Sequence, residues 1–237
     1  MKKILFKGKD RGNANYGWLD TKHTFSFSNY YDPEKIHFGA LRVFNDDIVA
    51  PGMGFGTHPH DNMEIISIPL KGSLAHKDST GQEDVIAVNE VQVMSAGTGL
   101  THSEYNHSKT KEVNFLQIWI FPKEKNIAPR YGQKRFDPEK QKGRFQNLIS
   151  PSASEETLSI HQDAWFYRAH FEKESQISYS LNKKGNGIFL FVLEGNTEIE
   201  GETLKKRDAI GLSEVDQIEL STSADTQLLL IEVPMKF

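Results

Sequence analysis

Cysteine is absent from the 237 residues. That excludes a disulfide framework, a thiolate nucleophile and any Cys-ligated metal. A basic excess is missing too. The chain has 28 Lys and Arg against 32 Asp and Glu, a formal net charge of −4, so no overall positive field draws it to DNA or to an anionic membrane. No apolar run approaches the roughly 20 residues of a membrane-spanning helix. Met1-Lys2-Lys3 is followed only by Ile4-Leu5-Phe6 before Lys7, too short for a signal-peptide core, and with the lack of Cys a cytoplasmic location is expected. There is no P-loop, no nucleophile elbow, and no G-x-G-x-x-G between a strand and a helix. Helical periodicity is weak everywhere.

What remains is an ordinary globular composition, 37% hydrophobic, 25% charged and 11% aromatic, arranged as short runs broken by turn residues. Ala40 to Phe44, Glu64 to Leu70, Val91 to Met94, Val113 to Phe121, Trp165 to Phe171, Gly187 to Leu193, Gln217 to Leu220 and Gln227 to Val233 have the length and Val/Ile/Phe/Trp content of strands. Turns at Lys71-Gly72, Asp78-Ser79-Thr80-Gly81 and Glu194-Gly195-Asn196 point to an all-β sandwich or barrel. The segment Pro129 to Ser154 is polar and carries Pro138, Gly143 and Pro151. It reads as a linker, which places an N-terminal unit at 1–135, a linker at 136–156 and a C-terminal unit at 157–237.

The two halves resemble each other. Ile68-Pro69-Leu70-Lys71-Gly72-Ser73-Leu74 aligns with Phe191-Val192-Leu193-Glu194-Gly195-Asn196-Thr197, each followed by a further strand, which suggests an internal duplication.

Three of the nine histidines fall in two tight motifs, Gly52-x5-His58-Pro59-His60-x3-Glu64 and Gly97-Thr98-Gly99-Leu100-Thr101-His102-Ser103-Glu104-Tyr105-Asn106. Residues two apart on a strand share a face. His58 with His60, and His102 with Glu104, can therefore each aim two ligand atoms at one point. On facing strands the two pairs make a three-His, one-carboxylate site suited to Fe, Mn, Ni, Co, Cu or Zn. The other histidines read blandly. His76 sits two residues from Asp78 and is expected at the surface. His107 is expected in solvent, and His23, His37, His161 and His170 have no metal spacing. Trp18, Trp119 and Trp165 read as core.

The pattern G-x5-H-x-H-x3-E followed by G-x2-H-x3-N resembles the two cupin motifs, and the H-P-H and H-S-E variants resemble the pirin branch of the cupins. Gly17-Trp18-Leu19, His23-Thr24-Phe25-Ser26-Phe27, Tyr30-Tyr31-Asp32-Pro33, Met94-Ser95-Ala96-Gly97-Thr98-Gly99, Gln117-Ile118-Trp119-Ile120, Pro129-Arg130-Tyr131 and His161-Gln162-Asp163 extend the likeness along nearly the whole chain. It is closest to the bacterial pirins described as quercetin 2,3-dioxygenases. The resemblance implies a bicupin: two antiparallel β-barrel (jelly-roll) domains, with metal only in the N-terminal one. It implies metal ligands at His58, His60, His102 and Glu104. Glu64, the ligand in many other cupins, is the second choice.

It further implies a divalent first-row metal, with Fe(II) expected ahead of Mn, Co, Ni, Cu or Zn, and a dioxygenase acting on flavonols such as quercetin. In that reaction Glu104 takes the proton of the 3-hydroxyl, O2 is consumed, and CO and a depside leave. The alternative implied by the family is a metal-dependent, redox-sensing binding protein that regulates a transcription factor or a metabolic enzyme. The expected partners are an aromatic small molecule and O2, with a protein partner under the alternative and no direct contact with nucleic acid or membrane.

The internal repeat tests the second half. Equal offsets before the hairpin glycines place His58 and His60 at Leu181 and Lys183 and Glu64 at Gly187, and a loop about five residues shorter before the last motif puts His102 and Glu104 near Leu220 and Thr222. None of these forms a ligand set for a first-row metal, so the C-terminal barrel is expected to be metal-free.

Overall fold

A computed structural model describes all 237 residues. It contains no α-helix; two short 3-10 turns, Gly8–Asp10 and Pro138–Gln141, interrupt an otherwise all-strand chain. In the N-terminal half one seven-stranded sheet runs in the order Arg130–Arg135, Glu90–Ser95, Glu64–Lys71, Val113–Ile120, Leu41–Val49, Leu19–His23, Gly12–Asn15. Facing it is a four-stranded sheet, Gly54–His60, Leu100–Asn106, Ser73–Asp78, Glu83–Ala87. The C-terminal half repeats the scheme. Its large sheet is Lys2–Phe6, Ala209–Ser213, Asn186–Glu194, Thr226–Pro234, Trp165–Phe171, Gln146–Ser150, Leu158–Ser159, and its small sheet is Ser175–Ser180, Gln217–Thr222, Asn196–Ile199, Glu202–Lys205. The small sheets correspond strand for strand, and so do the five inner strands of the large sheets, so the duplication legible in one hairpin extends through both barrels; the outermost strands differ, Gly12–Asn15 pairing antiparallel and Leu158–Ser159 parallel.

Two of the expected boundaries move. The unit expected at 1–135 does not begin at residue 1, because Lys2–Phe6 pairs antiparallel with Ala209–Ser213 and completes the C-terminal sheet. The linker expected at 136–156 contains Gln146–Ser150, which pairs with Trp165–Phe171. That strand looks like linker because only its Leu148 and Ile149 are buried, while Gln146, Asn147 and Ser150 keep partial solvent contact.

The near-continuous apolar runs have one cause. Each large sheet is covered on both faces, and a doubly covered strand loses the alternation of a half-buried one. Ile66, Ile68, Leu116 and Ile118 of the N-terminal half and Phe189, Phe191, Leu229 and Ile231 of the C-terminal half belong to one buried cluster. The two large sheets therefore pack back to back. The intervening residues line the barrels. In the C-terminal barrel these are Ile188, Leu190, Val192, Leu228 and Leu230 against Ile218 and Leu220.

Aromatic packing closes the seam: Phe44 lies 5.0 Å from Phe189 and 4.7 Å from Phe191 between ring centroids. A fully buried Phe in such a cluster is worth about 3–5 kcal/mol against Ala. Phe189→Ala is expected to lower the free energy of unfolding in urea by that amount; a loss under about 1 kcal/mol would mean that the seam is not a shared core.

Candidate metal centre

The N-terminal barrel is apolar at its two ends and polar across its middle. Leu19, Val49, Leu74, Ile86, Val113 and Phe115 cluster at one end, and Ile65, Met94, Ala96 and Leu100 at the other. Between them lie the motif residues. In the strand ladder His102 sits directly opposite His58 on one side and Asp78 on the other, while Glu104 faces His76. Ring centroids are 4.5 Å apart for His58–His102, and 4.9 Å for both His58–His60 and His60–His102. Nitrogen atoms of these three rings lie within 4.8 Å of one another. Ligand atoms of His76, His102 and Glu104 meet the same criterion. His102 is thus shared by two overlapping groups: one joins it to the other two expected histidines, His58 and His60, and the second joins it to Glu104 and His76.

The local bonding prepares these groups for a cation. His58 Nδ1–H donates to the Gly56 carbonyl at 2.7 Å, which leaves Nε2 as a lone pair. Burial, reinforced by the neighbouring His58, pushes His60 down to about 4. Burial with His58, His60 and His76 nearby pushes His102 down to about 2. Both rings are neutral at pH 7, the form that ligates. Both ring nitrogens of His102 are buried without a hydrogen-bond partner, a costly state that a metal bond to the lone-pair nitrogen relieves in part. Glu104 accepts from Ser67 Oγ at 2.9 Å and from Gln117 Nε2 at 2.6 Å, and burial pushes its carboxyl up to about 7. Three imidazoles with one carboxylate in reach of the cluster suit a divalent first-row ion.

Several residues depart from expectation. His76 is not at the surface: it is 1% exposed and its Nε2 bonds Asp78 Oδ2 at 3.1 Å. Glu64 lies outside both groups. It accepts from Ser95 Oγ at 2.9 Å and from the backbone N–H of His161 at 3.3 Å, and so ties the barrel to the second half. Trp119 is not only core, since its ring stands edge-on 4.9 Å from His60. Ser67 and Gln117 were hidden inside runs that read as apolar strands. Their register, opposite each other in adjacent strands, aims both at Glu104.

The second barrel also corrects the repeat alignment. Glu104 pairs with His76 as Leu220 pairs with Ile199, and His102 with His58 as Ile218 with Tyr179. The equivalents of the motif residues are therefore Tyr179, Leu181, Ile218 and Leu220, because the segment before the hairpin glycine is longer in the second half, and the loop before the last motif shorter, than the alignment assumed. Ser67 and Gln117 correspond to Leu190 and Leu230, which also pair with each other. The polar belt of one barrel is an aliphatic plug in the other.

Asp47 adds a second buried carboxyl to the polar belt. Burial pushes it up to about 7, opposed by the Thr21 hydroxyl and reinforced by Asp46 and Glu104. With the folded value raised above the ordinary one, the stability from its neutral form is complete below about pH 4 and is lost as pH rises through 7. Asp47→Asn is expected to abolish that loss, so that its stability relative to the parent improves by on the order of 2 kcal/mol between pH 5 and 8. Parallel stability profiles for the two proteins would refute the assignment.

Two jelly-roll barrels with a His-rich polar belt in the first alone define a bicupin with one candidate metal centre. The Pirin family model matches residues 7–120, and a model described as the quercetinase C-terminal cupin domain matches residues 147–233. Quercetin 2,3-dioxygenase of Escherichia coli K12 is 43% identical over 230 residues, 97% of this chain and 98% of the relative. A pirin-like protein of Caulobacter vibrioides is 38% identical over 222 residues, 93% and 95% of the two chains. The crystal structure of YhhW from Escherichia coli matches with a TM-score of 0.94 at 42% identity over 98% of each chain. The structure of the bacterial pirin YhhW in complex with nickel(II) matches at 0.92 and 41%, over 98% of this chain and 99% of that one. The chain belongs to the pirin family, and it is quercetin 2,3-dioxygenase-like along its whole length.

Proposed function

We propose that the protein is a metal-dependent dioxygenase that opens the heterocycle of flavonols such as quercetin. The observation that carries this reading is His102, buried with two unpartnered nitrogens between His58 and His60 on one side and Glu104 on the other. His58, His60, His102 and Glu104 would hold a divalent metal, Fe(II) first among the candidates. When bound, that metal supplies an electrophilic centre with open positions for a chelating oxygen and for O2. Four ligands carrying one negative charge leave a net positive site, which favours an anionic chelator. A flavonol offers one in its acidic 3-hydroxyl beside the 4-carbonyl. The relatives named quercetin 2,3-dioxygenase and the nickel(II) complex of the pirin YhhW support the same assignment.

The chain's own residues then have distinct tasks. Glu104, the one carboxylate beside the three histidines, takes the 3-hydroxyl proton. Ser67 and Gln117 hold its two oxygens and fix where the proton arrives. Gly56 locks the His58 tautomer. Trp119 packs on His60 and limits its rotation. In the net reaction one O2 is consumed, the C2–C3 and C3–C4 bonds of the flavonol break, C3 leaves as carbon monoxide with its own 3-oxygen, and both atoms of O2 end in the depside, at C2 and C4. The test is loss of quercetin absorbance by protein loaded in turn with Fe(II), Mn(II), Co(II), Ni(II) and Cu(II), beside a His58→Ala/His60→Ala control. Saturable, metal-dependent loss absent from the control is expected. Stoichiometric metal binding without turnover by any loaded form would overturn the reading.

A further inference from the structure

His76 and Asp78 form a buried pair that the metal cluster does not require. Asp78 is held as a carboxylate by the Thr80 hydroxyl at 2.6 Å and by the backbone N–H groups of Thr80 and Gln82 at 2.8 and 3.2 Å. A carboxylate only accepts, so the proton of the neutral His76 ring sits on Nε2, facing Asp78 at 3.1 Å. Nδ1 is then a bare acceptor, buried and without a partner. The ring lies 5.3 Å from His102 and 5.0 Å from Tyr131 between centroids, and it stands opposite Glu104 in the ladder. Tyr131 cannot satisfy Nδ1, because its hydroxyl donates to Gln133 Oε1 at 2.6 Å. Nearby, Gln92 sits beside Ser67 in register, fully buried, with both amide atoms unpartnered. The barrel wall next to the metal cluster thus presents an aligned acceptor and an amide, with no protein group to answer either. Unanswered buried polar groups of this kind make a site reject a ligand that lacks the matching hydroxyl.

We infer that His76, oriented by Asp78, is a specificity-determining residue whose Nδ1 accepts a hydrogen bond from a second hydroxyl of the substrate, beyond the metal-chelating 3-hydroxyl that Glu104 addresses. The inference rests on the flavonol reading above and narrows it to polyhydroxylated flavonols. The probes are quercetin and 3-hydroxyflavone, which share the 3-hydroxyl and 4-carbonyl but differ in every other hydroxyl. Binding of each is measured without O2 on Ni(II)-loaded protein by absorbance titration, with Ni(II) affinity measured separately by calorimetry.

The parent protein is expected to prefer quercetin by tenfold or more. His76→Leu is expected to reduce that preference by about tenfold, the worth of one buried hydrogen bond, with Ni(II) affinity and 3-hydroxyflavone binding unchanged. Asp78→Asn, which can donate to Nε2 and so turn Nδ1 into a donor, is expected to lose the same preference. His76→Gln, which keeps an acceptor oxygen, is expected to retain part of it; its partial preference keeps the test informative should the Leu variant fail to fold. An unchanged ratio in the folded variants overturns the inference. So does a fall in Ni(II) affinity, which would make His76 a ligand. Failure of the loaded parent to bind either flavonol overturns instead the reading on which the inference rests.

Discussion

His102→Ala is expected to lose the metal-dependent gain in stability and all flavonol turnover, while its metal-free form stays within about 1 kcal/mol of the parent. The last part follows from opposing terms. Truncation opens space in a packed interior and costs free energy, but it also removes two buried nitrogens that have no hydrogen-bond partner, and such groups are themselves destabilising by about 1–3 kcal/mol. The loss with metal is much larger. A ligand at about 1,000 times its dissociation constant stabilises the folded state by about 4 kcal/mol. In a chain of this size that corresponds to roughly 8–16 °C in Tm. His102 is the residue that links His58 and His60 to Glu104, so its removal breaks the proposed ligand set in two. Thermal unfolding with and without Ni(II) reads the effect directly. A variant that still gains as much from the metal as the parent would remove His102 from the centre.

Glu104→Gln separates holding the metal from moving the proton. The amide keeps the size of the carboxyl and can still bond Ser67 and Gln117, but it cannot take a proton. Turnover is expected to fall by about 10²–10⁴-fold, the usual worth of a positioned base, with a smaller fall in metal affinity. The pH profile carries a second signature. A base acts only when deprotonated, so the parent's turnover is expected to rise with pH as Glu104 loses its proton, and that rise is expected to vanish in the variant. A Glu104→Gln protein that binds metal and matches the parent's turnover would refute the base assignment.

The histidine cluster was legible because strand geometry has period two: His58-x-His60 and His102-x-Glu104 each declare a shared face without help from the rest of the fold. The all-β architecture was legible for a similar reason, in short runs between turn residues. What could not be read depended on pairing. His76 lies outside both motifs and joins them only because its strand runs beside Leu100–Asn106. Ser67 and Gln117 sit inside runs whose neighbours are buried on the opposite face of the sheet, so their polarity looked incidental. Lys2–Phe6 finds its partner at Ala209–Ser213, the far end of the chain, and nothing local marks such a contact. The C-terminal counterparts of the ligands were misaligned for the same reason, since loop length alone does not set register.

Carbon monoxide released per quercetin consumed is the most direct test of the central claim, because only ring opening with loss of C3 yields it. Fe(II)-loaded protein is expected to release about one CO for each quercetin and each O2 consumed, and the His58→Ala/His60→Ala protein none. Quercetin loss without CO, or CO release that persists in the double variant, would contradict flavonol cleavage at this centre.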